Sequence, residues 1–304
     1  PDVSSAASDV YKRQISDFEA TSGVEVEVRY AKSAELAGTI VLEGAISPAD
    51  IFFSQDPISL GVVAKEGLFE TLPNDILVSV PSWASDKKGY WVGTSGRSRS
   101  LVIDTRDVTP EELPNDIYGL ADEKFRNRLG LAPTNSSFIA MVSCMIELDG
   151  EEKVLDWLSS INSLDYTEYP KNSPQVAAAD SGELDIGMVN HYYTLRLLAE
   201  NGDSSIKNVY LDSGCGAMVM PAGVGILSSS QNKTAAMAFI EFLHSKSVQE
   251  TFTNSLYEFP LVKGIEPNDL LPNLENLNSP LNLNWSALAI WQEKAVELIA
   301  KSGI

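Results

Sequence analysis

The sequence predicts an α/β fold of two lobes, on three observations. Short apolar runs that read as strands alternate with stretches of helical period, the pattern of sheets covered by helices. Two long, extended, glycine-bearing segments, residues 91–104 and 217–227, stand apart from those units as passages of the chain between lobes. A chain of 304 residues with ordinary apolar content is better accommodated by two cores than by one. The expected division puts residues 15–100 and 223–274 in lobe 1, and residues 101–222 and 275–304 in lobe 2. Two crossings form a two-segment hinge, and a ligand cleft is expected between the lobes.

Residues 1–14 are polar and aperiodic and read as a leader, non-native or disordered, foreign to the rest of the chain. Residues 15–20 read as the end of a helix stopped near Gly23, and Val24, Val26, Val28 and Tyr30 alternate with polar neighbours as a strand. A helix of this kind normally comes after a strand, which is not visible here, so a truncated start is expected. Leu36, Ile40 and Val41 mark a helix that ends at Gly44. Residues 49–54 read as a buried strand, and Asp56 with Pro57 caps the next helix. Beyond the polar loop 72–89 and the first crossing, the unit repeats as strand 129–132, loop 133–137 and helix 138–148. A helix through Leu155, Trp157 and Leu158 leads to a short strand ending at Tyr169. The loop 170–173, a helix to Ser181 and a strand through Ile186, Met188 and Val189 come next. The C-terminal part is helical at 234–244, 248–252 and 285–300. The alternation predicts parallel sheets.

Composition removes several functions. With 42 acidic against 22 basic residues the net charge is −20, which disfavours nucleic acid and anionic membrane as partners. No run approaches the ~20 apolar residues that span a bilayer. HExxH, GxSxG, P-loop and dinucleotide fingerprints are all missing, so an enzyme is not indicated. The two cysteines, Cys144 and Cys215, have no metal-ligand spacing and read as two small core residues or one bridge.

The stretch that carries chemistry is Asp185 to Tyr193, an apolar run ending in adjacent tyrosines before Leu195, Leu197 and Leu198 begin a helix. At a strand-to-helix junction the regular alternation of side chains breaks, so the phenols of Tyr192 and Tyr193 can converge at a sheet edge. Paired phenolates are hard, anionic oxygen donors suited to a hard, highly charged cation such as ferric iron. From the dipeptide alone, two amphipathic aromatics at a domain edge is the favoured reading. His191 adjoins the pair, with a surface role or a supporting role behind the ligands as its two readings.

Several motifs in order give the chain a family resemblance: SPADIFFSQ at 47–55, WVGTSGRSR at 91–99, APTNSSF at 132–138, YPKNS at 169–173, GELDIGMVNHYY at 182–193, AGVGIL at 222–227 and YEFPLV at 257–262. From about Phe18 to Gly303 it resembles the ferric-iron-binding proteins, the extracytoplasmic substrate-binding components of iron ABC importers. The resemblance implies a periplasmic-binding-protein-like fold and Fe3+ held directly by Tyr192 and Tyr193. It also implies a synergistic phosphate or carbonate at Asn135, Ser136 and Ser137, assisted by Asn172 and Asn190. Free N–H groups and the dipole at a helix N-terminus favour an anion there. Arg97 and Arg99 fall in the hinge motif, either adding positive potential or forming salt bridges between lobes. Gln55 stands where some members carry a glutamate ligand, which leaves anion and water to complete the shell. The implied partner is an ABC transporter permease, and the protein is expected to be a monomer. The same fold serving a small organic anion is the alternative function, and a periplasmic enzyme is the remote one.

Overall fold

The computed structural model describes residues 5–280 and 283–304. In chain order the elements begin with α1 (Ser5–Ser22), α2 (Ser33–Glu43), β1 (Ile51–Ser54), α3 (Pro57–Lys65), the single turn α4 (Asn74–Leu77) and the long β2 (Val92–Asp104). Next come β3 (Leu129–Leu131), α5 (Ser136–Asp149), α6 (Glu151–Ser163), β4 (Thr167–Glu168), α7 (Asn172–Ser181), β5 (Ile186–Asn190), α8 (His191–Asn201) and β6 (Ile206–Val209). The chain closes with β7 (Val219–Ile226), α9 (Lys233–Leu243), α10 (Lys246–Leu256), β8 (Phe259–Pro260) and α11 (Trp285–Ser302).

These elements form two compact units. Residues 1–96 and 220–271 make unit 1, and residues 97–219 and 272–304 make unit 2. The chain therefore passes from one unit to the other inside β2, again at the start of β7, and a third time after Leu271.

In unit 1, β1 pairs antiparallel with β7, from Ile51 opposite Ile226 to Ser54 opposite Gly223. The short β8 pairs with the first part of β2 at Ser95 and Gly96. Asp56 caps α3 by accepting the Ser59 N–H at 2.7 Å, with Pro57 at the first helical position where its missing N–H costs nothing. Phe18 of α1 packs on Phe239 and Phe242 of α9, with ring centroids 5.0 and 5.4 Å apart.

In unit 2 the strand order is β6, β2, β5, β3, β4. The central β5 is buried on both faces, which explains its unbroken apolar run. Gly187, its second residue, leaves no room for a side chain: a Cβ there would lie 2.9 Å from Val102 Cγ1 and 3.3 Å from the Gln175 side chain. Helices α5, α6 and α11 pack together, and a disulfide joins Cys144 of α5 to Cys215, in the 3-10 turn before β7, with an S–S distance of 2.04 Å. Of the two readings left open for the cysteines, the bridge is the one observed.

Three expectations are corrected. Parallel pairing holds for β3 with β4 and β3 with β5, whereas β2 pairs antiparallel with β5 and β6, and β1 antiparallel with β7. A strand that enters a sheet by a long extended crossing has no helical crossover to fix its direction as parallel. Residues 24–30 form no strand: Val28 and Tyr30 are 42% and 52% exposed, and the Val26 N–H goes to the Glu19 side chain. Alternation specifies a strand only when a neighbour takes its backbone groups. Disorder, one of the two readings of residues 1–14, gives way to a helix from Ser5, while residues 1–4 lie outside the described residues. Tyr11, Gln14 and Phe18 share one helical face: Gln14 and Phe18 are buried, and the Tyr11 ring lies 5.7 Å from that of Phe53 and 6.3 Å from that of Phe252.

Candidate functional site

The junction of β5 and α8 is immediate, with Asn190 ending the strand and His191 opening the helix. Tyr192 and Tyr193 are thus the second and third residues of α8. Neighbours on a helix normally diverge, but Cα–Cβ bonds tilt toward the N-terminus, so long side chains in the first turn can reach past the helix end. The two rings lie 4.4 Å apart between centroids at 34°, and a hydrogen bond links the phenols. Tyr193 also rests on the core formed by Val102, Val176, Ala179, Val189 and Ile206, which fixes its ring.

The Tyr193 phenol is held well above its ordinary pKa, first by the charge of Tyr192, then by burial and by the hydrogen bond to Tyr192. Arg97 and Arg196 act in the opposite sense. Their guanidinium carbons sit 5.7 and 4.7 Å from the centroid of the Tyr192 ring. The positive end of the α8 dipole adds to them, so these groups oppose the rise and would stabilise a phenolate whose proton a bound cation has displaced. Arg196 escaped the sequence reading. Its signal was the four-residue spacing from Tyr192, which stacks the two side chains on one helix face.

The third arginine is buried deeper. Arg99 is 1% exposed, and its Nη1 donates to Ser137 Oγ and to Asn190 Oδ1, both at 3.0 Å. Among the described residues its Nε has no acceptor and no carboxylate pairs with it. Burial pushes its pKa down to about 10, offset in part by the charges of Tyr192 and Tyr193, so it remains a cation at neutral pH.

Ser137 joins this arginine to the N-terminus of α5. Asn135 is the N-cap and accepts the Ser137 N–H at 3.0 Å and the Ser137 hydroxyl at 2.6 Å. Asn172, 2% exposed at the first position of α7, donates to Ser137 Oγ at 3.5 Å, and Ser136 is exposed at the first position of α5. Asn135, Ser137, Asn172, Asn190 and Arg99 therefore share one hydrogen-bonded cluster, with the tyrosine pair two and three residues beyond Asn190. Arg97 lies over the Tyr192 ring, two residues beyond Asn190. Gln55 belongs to unit 1, directly after β1, where its N–H reaches Ser33 Oγ at 3.3 Å.

His191 is fully buried, which excludes the surface reading. Its Nδ1 accepts the Ser98 N–H at 3.1 Å and its ring stands edge-on to Tyr192 at 5.7 Å, so it braces α8 against β2. Among the described residues no three His, Cys, Asp or Glu side chains gather as a metal site.

Two α/β units threaded by shared strands, with one polar cluster of phenols, arginines and a helix N-terminus, define a binding protein for a solute. The chain belongs to the bacterial extracellular solute-binding protein family, whose profile matches residues 47–289. It is 33% identical over 296 residues to the major ferric iron-binding protein of Neisseria meningitidis serogroup B, covering 94% of this chain and 87% of that protein. It is 31% identical over 297 residues to the Fe(3+)-binding periplasmic protein of Serratia marcescens, covering 96% and 87%. Among solved structures, iron-bound HitA from Pseudomonas aeruginosa superposes with a TM-score of 0.89 at 27% identity, covering 97% of this chain and 96% of that one. The fold is the two-lobed α/β fold of these binding proteins.

Proposed function

We propose that the protein captures ferric iron outside the cytoplasm and delivers it to an ABC transporter permease. Tyr192 and Tyr193 are the protein ligands, and Ser136, Ser137, Asn172, Asn190 and Arg99 hold a synergistic phosphate or carbonate. The observation that carries this reading is the charge balance of the corner. Two hydrogen-bonded phenols lie near the buried guanidinium of Arg99, whose Nε has no acceptor among the described residues, and a further cation is unfavourable there unless anions offset it. Two phenolates and a bound oxyanion supply that charge, and all are hard oxygen donors matched to Fe3+. The names of the relatives support iron as the cargo. No helix among the described residues is long and apolar enough to cross a membrane. We further propose that the protein acts as a monomer and that Gln55 contributes no charged ligand.

The test is titration of the purified protein with a ferric chelate. A visible phenolate-to-iron charge-transfer band saturating at one equivalent is expected, and it disappears in the Tyr192→Phe, Tyr193→Phe double variant. A colourless complex, or a band that survives in the double variant, refutes the ligand set. Because the Tyr193 proton is held tightly, loading releases protons into weak buffer and affinity falls as pH falls. Arg99, buried beside Ser137, also suits an organic anion without metal. Binding of such an anion by protein that takes up no iron would select that alternative.

A further inference from the structure

The two bonds made by Asn135 run against the role of anion holder that the family resemblance implies for it. Its Oδ1 accepts both the backbone N–H and the hydroxyl of Ser137, at 3.0 and 2.6 Å. Those are donors that an anion at the N-terminus of this 14-residue helix would itself require. A second, independent feature marks the place as an anion site. The buried Arg99 points its Nη1 at Ser137 Oγ, and its Nε has no acceptor among the described residues. A buried guanidinium with an open N–H attracts a full negative charge, which a carboxamide oxygen does not carry.

We propose that Asn135 is a built-in competitor for the anion, so that anion binding is an exchange in which the Asn135 oxygen gives up the Ser137 N–H and hydroxyl to the incoming oxyanion. The inference rests on the anion reading above and makes Asn135 a specificity-determining residue. Its carboxamide is a threshold: an oxyanion with high charge density displaces it, and a weakly charged or neutral carbonyl does not. The hydrogen bond from Asn172 to Ser137 Oγ and that from Arg99 persist through the exchange, since the serine oxygen accepts both while its own proton turns from Asn135 to the anion.

The experiment is calorimetric titration of the full chain, free of iron, with inorganic phosphate, for the wild type and for Asn135→Gly, Asn135→Asp and Arg99→Gln. Glycine keeps the N-cap backbone and removes the competing oxygen, so phosphate affinity should rise about fivefold. Aspartate keeps both bonds and adds a full like charge, so affinity should fall by about tenfold or more. Weaker or unchanged phosphate binding by Asn135→Gly overturns the exchange, because it would make Asn135 a ligand or a bystander. Thermal unfolding checks that each variant folds. If Asn135→Gly does not fold, Asn135→Asp decides, and phosphate affinity equal to the wild type or higher overturns the proposal. The anion reading has its own signature of failure: no phosphate binding by the wild type, or binding by Arg99→Gln as strong as by the wild type. Either result removes the site, and the exchange with it.

Discussion

Two polar side chains of unit 1, His244 and Gln249, are closed differently from Arg99 of unit 2. In unit 1 the neutral His244 ring donates from Nε2 to Gly93 O at 3.0 Å and takes the Ser79 hydroxyl at Nδ1 at 3.1 Å. Gln249 beside it gives its Nε2 to Thr94 O and Leu243 O, both at 2.9 Å, and its Oε1 takes the Val262 N–H at 3.4 Å. These are uncharged groups that find their partners within unit 1. In unit 2 Arg99 is deeply buried, is charged, and has its Nε left open among the described residues. Complete neutral networks fix a fold, whereas an incomplete charged one is costly unless something else satisfies it. Depth of burial alone does not tell these roles apart; charge and the remaining bonding capacity do.

The largest test of that contrast concerns the covalent brace, since both cysteines lie in unit 2. Replacing Cys144 and Cys215 by Ala releases a closed loop with a sequence separation of 71 residues. The chain-entropy argument for a loop of that size gives a loss of about 4 kcal/mol. Hydrogen exchange should show α5 and β5 losing protection while α9 and α10 keep theirs. Equal losses in both units would mean that they unfold as one.

Next in size is Arg99→Gln, which removes the open charge. Phosphate affinity should fall by about tenfold or more, as expected for a lost hydrogen bond to a charged group, while the unfolding midpoint changes little because a buried cation was itself unfavourable. A large loss of stability with unchanged phosphate binding would make Arg99 structural, like its counterparts in unit 1.

His244 supplies a pH test. Burial pulls its pKa from 6.5 down to about 4, against a smaller opposing effect of the bond to Gly93 O. The unfolded chain therefore takes up a proton that the folded chain refuses between those values. The stability contributed by the neutral ring is full above pH 6.5 and is lost as the pH falls toward 4. His244→Asn should make the dependence of stability on pH shallower by about one proton over that window. An unchanged slope would assign the acid sensitivity to other groups.

The smallest effect expected is at the cap of α3. Asp56→Ala removes the bonds to the Ser59 N–H and hydroxyl and should cost about 1 kcal/mol, without altering phosphate binding in unit 2. A change in phosphate affinity would show that the units are less independent than their separate polar networks suggest.

The sequence alone determined the class of fold, the run of elements and the segment that bears the phenols. Each of these is a local property: periodicity marks β5, Pro57 and Asp56 mark the start of α3, and the end of an apolar run marks the Tyr192–Tyr193 junction. The motifs carried the family because they preserve order and spacing. What the tertiary structure decided is everything set by residues distant in the chain. The segment 24–30 has the alternation of a strand and no neighbour to make it one, while β6 and β8 are too short to announce themselves and exist because β2 pairs with them. The pairing of Cys144 with Cys215, the burial of His191 and the packing of Arg97 on Tyr192 all depend on how separate elements meet. The hydrogen bonds of Asn135 belong to the same group. A polar residue before a helix reads as an anion donor or as a cap with equal ease, and only the two bonds to Ser137, with Arg99 behind them, show the carboxamide oxygen on donors that an anion would need.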